Sequence, residues 1–127
     1  MGNDTLLILE DEDLVRRNLE AYFQDEGYSV CSACSGEEAL QLLDTCKPQF
    51  AIVDMRLPGI SGDEFIRSAR KHCPKLQCLI YTAVASYELS NDLRMLGMTS
   101  KDVFSKPIHD MDIFAGRLTE IKDQHFH

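Results

Sequence analysis

No apolar run in this sequence approaches the length of about 20 residues that a bilayer-crossing helix requires, which argues against a membrane span. The opening residues, Met1-Gly2-Asn3-Asp4, lack the basic and apolar regions of a secretory signal, and a cytoplasmic location is the default expectation. Positive charge is scarce. Thirteen lysines and arginines stand against 21 aspartates and glutamates, giving a formal net charge of -8. That balance disfavours direct binding to nucleic acid or to an anionic membrane surface. There is no internal repeat, low-complexity segment or linker, so the 127 residues read as one domain spanning 1–127.

Cysteine is present but without a regular framework. The odd count (Cys31, Cys34, Cys46, Cys73, Cys78) suits a reducing compartment. Cys31 and Cys34 form a CxxC, yet Cys31 lies in a strand-like run, whereas a redox pair needs both sulfurs at a helix start. A structural zinc site would want a second such pair, and there is none. Cys31 and Cys34 are therefore expected to be packing cysteines rather than a redox or metal pair.

Strand-like and helix-like segments alternate along the chain. The strand-like runs are Thr5–Leu9, Tyr28–Ala33, Phe50–Val53, Gln77–Tyr81 and Asp102–Ser105. Leu6-Leu7-Ile8-Leu9, Phe50-Ala51-Ile52-Val53 and Cys78-Leu79-Ile80-Tyr81 are continuously apolar, as central strands of a parallel sheet are when helices cover both faces. Between them, Leu14, Val15, Leu19, Tyr22 and Phe23 line one helical face, and Ser35 with Glu38 opens a second helix as a capping pair. Phe65, Ile66, Ala69 and Cys73 mark a third helix. Leu89, Leu93 and Leu96 mark a fourth, and Ile113, Phe114, Leu118 and Ile121 a fifth. The tail from Asp123 to His127 reads as a fraying end. Five strand–helix units predict a (βα)5 doubly wound parallel sheet, for which the order taken here is 2-1-3-4-5, the flavodoxin-like one.

Ligands of open parallel sheets bind beyond the carboxyl ends of the strands. Glu10, Asp11 and Glu12 follow the first strand and Asp54 follows the third; in that order these strands are neighbours, about 5 Å apart. Carboxylates so close repel one another unless a cation sits among them, and oxygen-only ligation with open positions suits Mg²⁺. Thr82 and Lys106 sit at the ends of the fourth and fifth strands, adding a hydroxyl and an ammonium to the same crevice. The histidines do not cluster and read as surface residues.

Leu9-Glu10-Asp11-Glu12, the run from Asp54 to Gly62 (DMRLPGISG), Tyr81-Thr82-Ala83 and Lys106-Pro107 together resemble the receiver domain of bacterial response regulators. Singly, each has a plain reading as an acidic first turn, a turn, a cap or a surface loop. Four in order at strand ends are specific, and the resemblance runs from Leu6 to Ile121. It implies that Asp54 is the phosphoacceptor, that Glu10, Asp11, Asp54 and the Arg56 carbonyl hold Mg²⁺, that Lys106 pairs with the phosphoryl group, and that Thr82 bonds a phosphoryl oxygen. It also implies a cis Lys106-Pro107 bond, and a histidine kinase or phosphotransfer protein as donor. Such a domain takes part in its own phosphorylation and is not otherwise an enzyme. It works through an unknown output domain or target protein, as a monomer or an activation-dependent homodimer; no output domain is expected in this chain.

The position three before Lys106, commonly aromatic in that family, is Val103, with Phe104 beside it. The Gly97–Val103 connection also reads as longer than usual. Leu89–Phe104 is therefore the segment expected to carry the switch in modified form. Arg56 and Val84 should border the phosphoryl group without supplying a base to water, which predicts a persistent acyl phosphate. An aspartate-nucleophile phosphatase would want a second aspartate where Arg56 stands, and a flavin carrier would not place three carboxylates after its first strand. A phosphate-binding P-loop is missing altogether. The alternative that remains is a protein-interaction module with this fold that works without phosphorylation.

Overall fold

The computed structural model describes residues 4–125. Along the chain run β1 (Thr5–Leu9), α1 (Asp13–Asp25), β2 (Ser29–Ala33), α2 (Gly36–Cys46), β3 (Phe50–Val53), α3 (Gly62–His72), β4 (Gln77–Thr82), α4 (Asn91–Met95), a 3-10 turn (Ser100–Asp102), β5 (Val103–Ser105) and α5 (Asp112–His125). The strands form one parallel sheet, as the alternation of segments predicts, and its order is the expected β2-β1-β3-β4-β5.

Side-chain alternation divides the core between the two faces of the sheet. Leu7, Leu9, Ala51, Val53, Cys78 and Ile80 pack under α2, α3 and α4 through Ala39, Leu43, Phe65, Ile66, Ala69 and Leu93. Leu6, Ile8, Phe50, Ile52, Leu79 and Tyr81 pack under α1 and α5 through Leu19, Phe23, Phe114, Leu118 and Ile121. The Tyr22 hydroxyl donates to Asp112 Oδ1 at 2.6 Å, joining α1 to α5. Because both faces are covered, β1 and β3 bury all but one of their residues, which is why their sequences are unbroken apolar runs.

Several boundaries and faces differ from the sequence reading. Tyr28 and Asp102 precede β2 and β5, and Thr82 completes β4. Leu14 is 72% exposed: it lies five residues before Leu19, which turns it about 140° from the buried line of α1. Ile113 is exposed for the same reason relative to Leu118. The fourth helix is only five residues long, and Leu89 is buried before it begins. Asp123 to His125 continue α5 rather than fray, while Phe126 and His127 lie outside the described residues.

The cysteines depart furthest from expectation. Cys31 and Cys46 form a disulfide between β2 and the end of α2, with Cα atoms 6.6 Å apart. Cys34 is exposed rather than packed, whereas Cys78 is buried and Cys73 half-buried.

Candidate functional site

Three residues hang one step beyond their strands by extending the sheet's hydrogen bonding. The Glu10 N–H donates to the Ala33 carbonyl (3.1 Å), the Asp54 N–H to the Leu9 carbonyl (2.9 Å) and the Lys106 N–H to the Thr82 carbonyl (2.8 Å). The backbone is therefore fixed where the side chains turn into the crevice at the carboxyl ends of the strands.

Their side chains meet. Lys106 Nζ lies 2.6 Å from Glu10 Oε1, 3.3 Å from Asp54 Oδ2 and 3.8 Å from Glu12 Oε1. Carboxylate oxygens of Glu10, Asp11 and Asp54 all fall within 4.8 Å of one another, with Glu10 and Asp54 buried and Asp11 exposed. One ammonium facing this many carboxylates leaves an excess of negative charge that a divalent cation would offset. A donor set made only of oxygen, open on the Asp11 side, fits Mg²⁺.

Electrostatics at the site follow from burial. Loss of water pushes the Glu10 carboxyl up to about 7; the hydrogen bonds from Lys106 and the Glu12 N–H pull it the other way, and the charge of Asp54 adds to the rise. Burial also works against the Lys106 ammonium, but hydrogen bonds and charges from Glu10 and Asp54 outweigh it and hold Lys106 above the ordinary lysine value.

The remaining candidates are arranged around these. The Arg56 N–H donates to Asp54 Oδ1 at 3.2 Å, turning the β3–α3 loop back on the carboxylate. Thr82 is buried, and its hydroxyl accepts from the Val84 N–H at 3.0 Å instead of reaching Asp54. Ala83 is exposed, leaving that side of the crevice without a bulky cover. The Lys106-Pro107 peptide is cis.

The roles of two residues escaped the sequence reading. Tyr81 accepts the Ile108 N–H on its hydroxyl at 3.1 Å, and its ring centroid lies 5.4 Å from Lys106 Nζ, so it braces the loop carrying the lysine. Arg16 donates to the Glu10 carbonyl at 3.0 Å from the first turns of α1. Their role depends on packing across strands, and nothing in their local sequence signals it. A cavity of about 680 Å³ lies elsewhere, among Arg70, Lys75, Gln77, Lys101 and Arg117. Arg70 and Arg117 are already bonded to carbonyls and carboxylates there. Among the described residues, acidic side chains that could hold a metal ion cluster in the carboxylate crevice.

A parallel sheet of this order with helices on both faces and an acidic crevice at its carboxyl edge defines a doubly wound α/β domain whose carboxylates meet at the topological switch point. The chain belongs to the response regulator receiver domain family, which it matches over residues 6–116. It is 29% identical over 112 residues to sporulation initiation phosphotransferase F of Bacillus subtilis (strain 168), covering 88% of each chain. It is 33% identical over 110 residues to the transcriptional regulatory protein PhoP of Escherichia coli (strain K12). That match takes in 87% of this chain but only 48% of PhoP, so the chain spans about half that regulator's length. Among solved structures, a CheY-like receiver domain protein from Methanospirillum hungatei JF-1 superposes with a TM-score of 0.84 at 24% identity, covering 97% of both chains. Response regulator protein TrrA from Thermotoga maritima, in complex with Mg(2+)-BeF, gives 0.79 at 25% identity, covering 93% of this chain and 98% of its own.

Proposed function

We propose that Asp54 accepts a phosphoryl group from a phosphohistidine on a histidine kinase or phosphotransfer protein, in a Mg²⁺-dependent reaction that alters a partner-binding face. The observation carrying this reading is the Lys106 ammonium set between Glu10 and Asp54, at 2.6 and 3.3 Å. An Asp54 oxygen attacks phosphorus, the bond from phosphorus to the donor nitrogen breaks, and the leaving imidazole keeps the electron pair and takes up a proton. Lys106 exchanges its carboxylate partner for a phosphoryl oxygen, as a compact point charge can. Glu10, Asp11, Asp54 and the Arg56 carbonyl are the residues that would hold Mg²⁺, which when bound supplies charge neutralisation to the phosphoryl oxygens.

The Thr82 hydroxyl leaves the Val84 N–H for the phosphoryl group, drawing the start of the β4–α4 connection inward and repacking Leu89–Phe104. Arg56 and Val84 offer no base to an attacking water, so the acyl phosphate decays slowly. The domain acts as phosphoacceptor and not as an enzyme on other substrates, and its output runs through a protein partner or a further domain. It works as a monomer or as a homodimer formed on activation, in the cytoplasm and without contact to nucleic acid or membrane. Among the described residues no helix is long and apolar enough to cross a membrane. That response regulator protein TrrA from Thermotoga maritima was solved in complex with Mg(2+)-BeF supports this reading.

Incubation with a small-molecule phosphodonor, read by intact mass, tests this. The expected outcome is the added mass of one phosphoryl group that needs Mg²⁺, disappears in Asp54→Asn and persists on removal of the donor. No adduct with or without Mg²⁺ would leave the phosphorylation-independent interaction module as the reading.

A further inference from the structure

The β3–α3 loop, residues 54–61, carries the Arg56 carbonyl, and its apex is fastened from outside the loop. The Ile60 N–H donates to Glu37 Oε2 at 3.2 Å. Gly59 has φ +79°, a left-handed conformation that glycine adopts without penalty, and the Glu37 carboxylate rests directly against it; a Cβ there would collide with that carboxylate. The Ile60 side chain lies where a Cβ on Gly36 would go, so the loop and the first turn of α2 sit in close contact. Glu37 itself is exposed in the first turn of α2, where the helix dipole favours an anion. The near end of the loop is held by Arg56 N–H to Asp54 Oδ1 and by Gly62 N–H to the Met55 carbonyl at 3.3 Å. Glu37 secures the far end.

We infer that Glu37 is a positioning residue for the cation site: by holding Ile60 and Gly59 it presents the Arg56 carbonyl to a divalent ion bound by Glu10, Asp11 and Asp54. This rests on the reading of that crevice as a Mg²⁺ site. With its base held at Arg56 and Gly62 but its apex released from Glu37, the loop samples orientations that withdraw the carbonyl, and binding must then order it. Helix α2 therefore contributes to the site without touching the ion.

Mg²⁺ titrations followed by amide chemical shifts, on the wild type, Glu37→Ala and Glu37→Gln, test the assignment, with thermal unfolding of each metal-free protein alongside. Glu37→Ala is expected to bind Mg²⁺ about three- to tenfold more weakly, the span of one net hydrogen bond, and Glu37→Gln, whose amide oxygen still accepts from Ile60, to stay within about twofold of wild type. Exposure of Glu37 keeps all three proteins folded, and a role confined to stability would move the melting temperature and leave the affinity alone. Equal weakening in both variants would make the effect one of lost charge and overturn the inference; so would unchanged affinity in Glu37→Ala. Absence of Mg²⁺ binding by the wild type would instead remove the site reading on which the inference stands.

Discussion

The five cysteines share one side-chain chemistry but sit in different surroundings. Cys31 and Cys46 are bonded to each other, and Cys34 is exposed at the end of β2. Cys78 is buried, and loss of water pushes its thiol up to about 12; the charge of Arg70 opposes the rise and that of Asp102 adds to it. Because the thiolate is the reactive form, alkylation at pH 8 is expected to modify Cys34 quickly and Cys73 more slowly. Cys78 should react only when the protein is unfolded or the pH approaches its raised value, and Cys31 and Cys46 only after a reductant. Peptide mapping of the labelled protein reads this directly; labelling of Cys31 and Cys46 without reductant would show that the disulfide is absent. The sequence could not pair these cysteines. A helix following a strand runs back alongside it, so Cys46 returns to the level of Cys31, but the spacing of 15 residues does not encode that return.

The element that differs most from its sequence pattern is α4. Leucines at helical spacing suggest a helix from Leu89 to Leu96, yet the helix spans only Asn91–Met95. Ser90 cuts it short at the amino end: its hydroxyl accepts from the Leu93 N–H and donates to Asp63 Oδ2 at 2.7 Å, tying the cap to α3. The chain beyond Gly97 is held by Asp102, a buried carboxylate bonded to Arg117 Nε at 2.9 Å and to the Thr99 N–H at 3.0 Å. This pair fixes the connection before β5 to α5. Replacing Arg117 by Met strands the Asp102 charge and is expected to lower stability by about 2–3 kcal/mol in urea unfolding, with Asp102→Asn in the same chain restoring part of the loss. Additive effects of the two substitutions would show that the pair is not coupled. Its charge assistance was not legible beforehand, because Asp102 reads equally well as the first residue of an edge strand.

For the whole molecule, β4 and β5 are the elements through which the proposed switch would reach from crevice to surface. Thr82 stands at the crevice, Val103 packs on the α2–α3–α4 side of the sheet, and Phe104 lies against Phe114 of α5 at 4.5 Å between ring centroids. Adding a beryllofluoride phosphoryl mimic with Mg²⁺ is expected to change amide exchange protection across Leu89–Phe104 and to leave β1 and the buried part of α1 unaltered. Protection changes that avoid Leu89–Phe104 would rule out this segment as the route from site to surface.

Composition and pattern by themselves determined the (βα)5 sheet, because central strands buried on both faces must be apolar throughout and their helices must alternate with them; the strand order they left to the tertiary structure. They also put Glu10, Asp11, Asp54, Thr82 and Lys106 at strand ends, since polar residues can follow such runs only where the sheet meets water. Only the tertiary structure decided what those ends touch. The 2.6 Å contact of Lys106 with Glu10, the brace from Tyr81, the hold of Glu37 on the β3–α3 loop and the Cys31–Cys46 bond all join residues distant in the chain. Local sequence sets propensity and periodicity, whereas contacts across elements follow from how helices settle on the sheet, which no short window of residues contains.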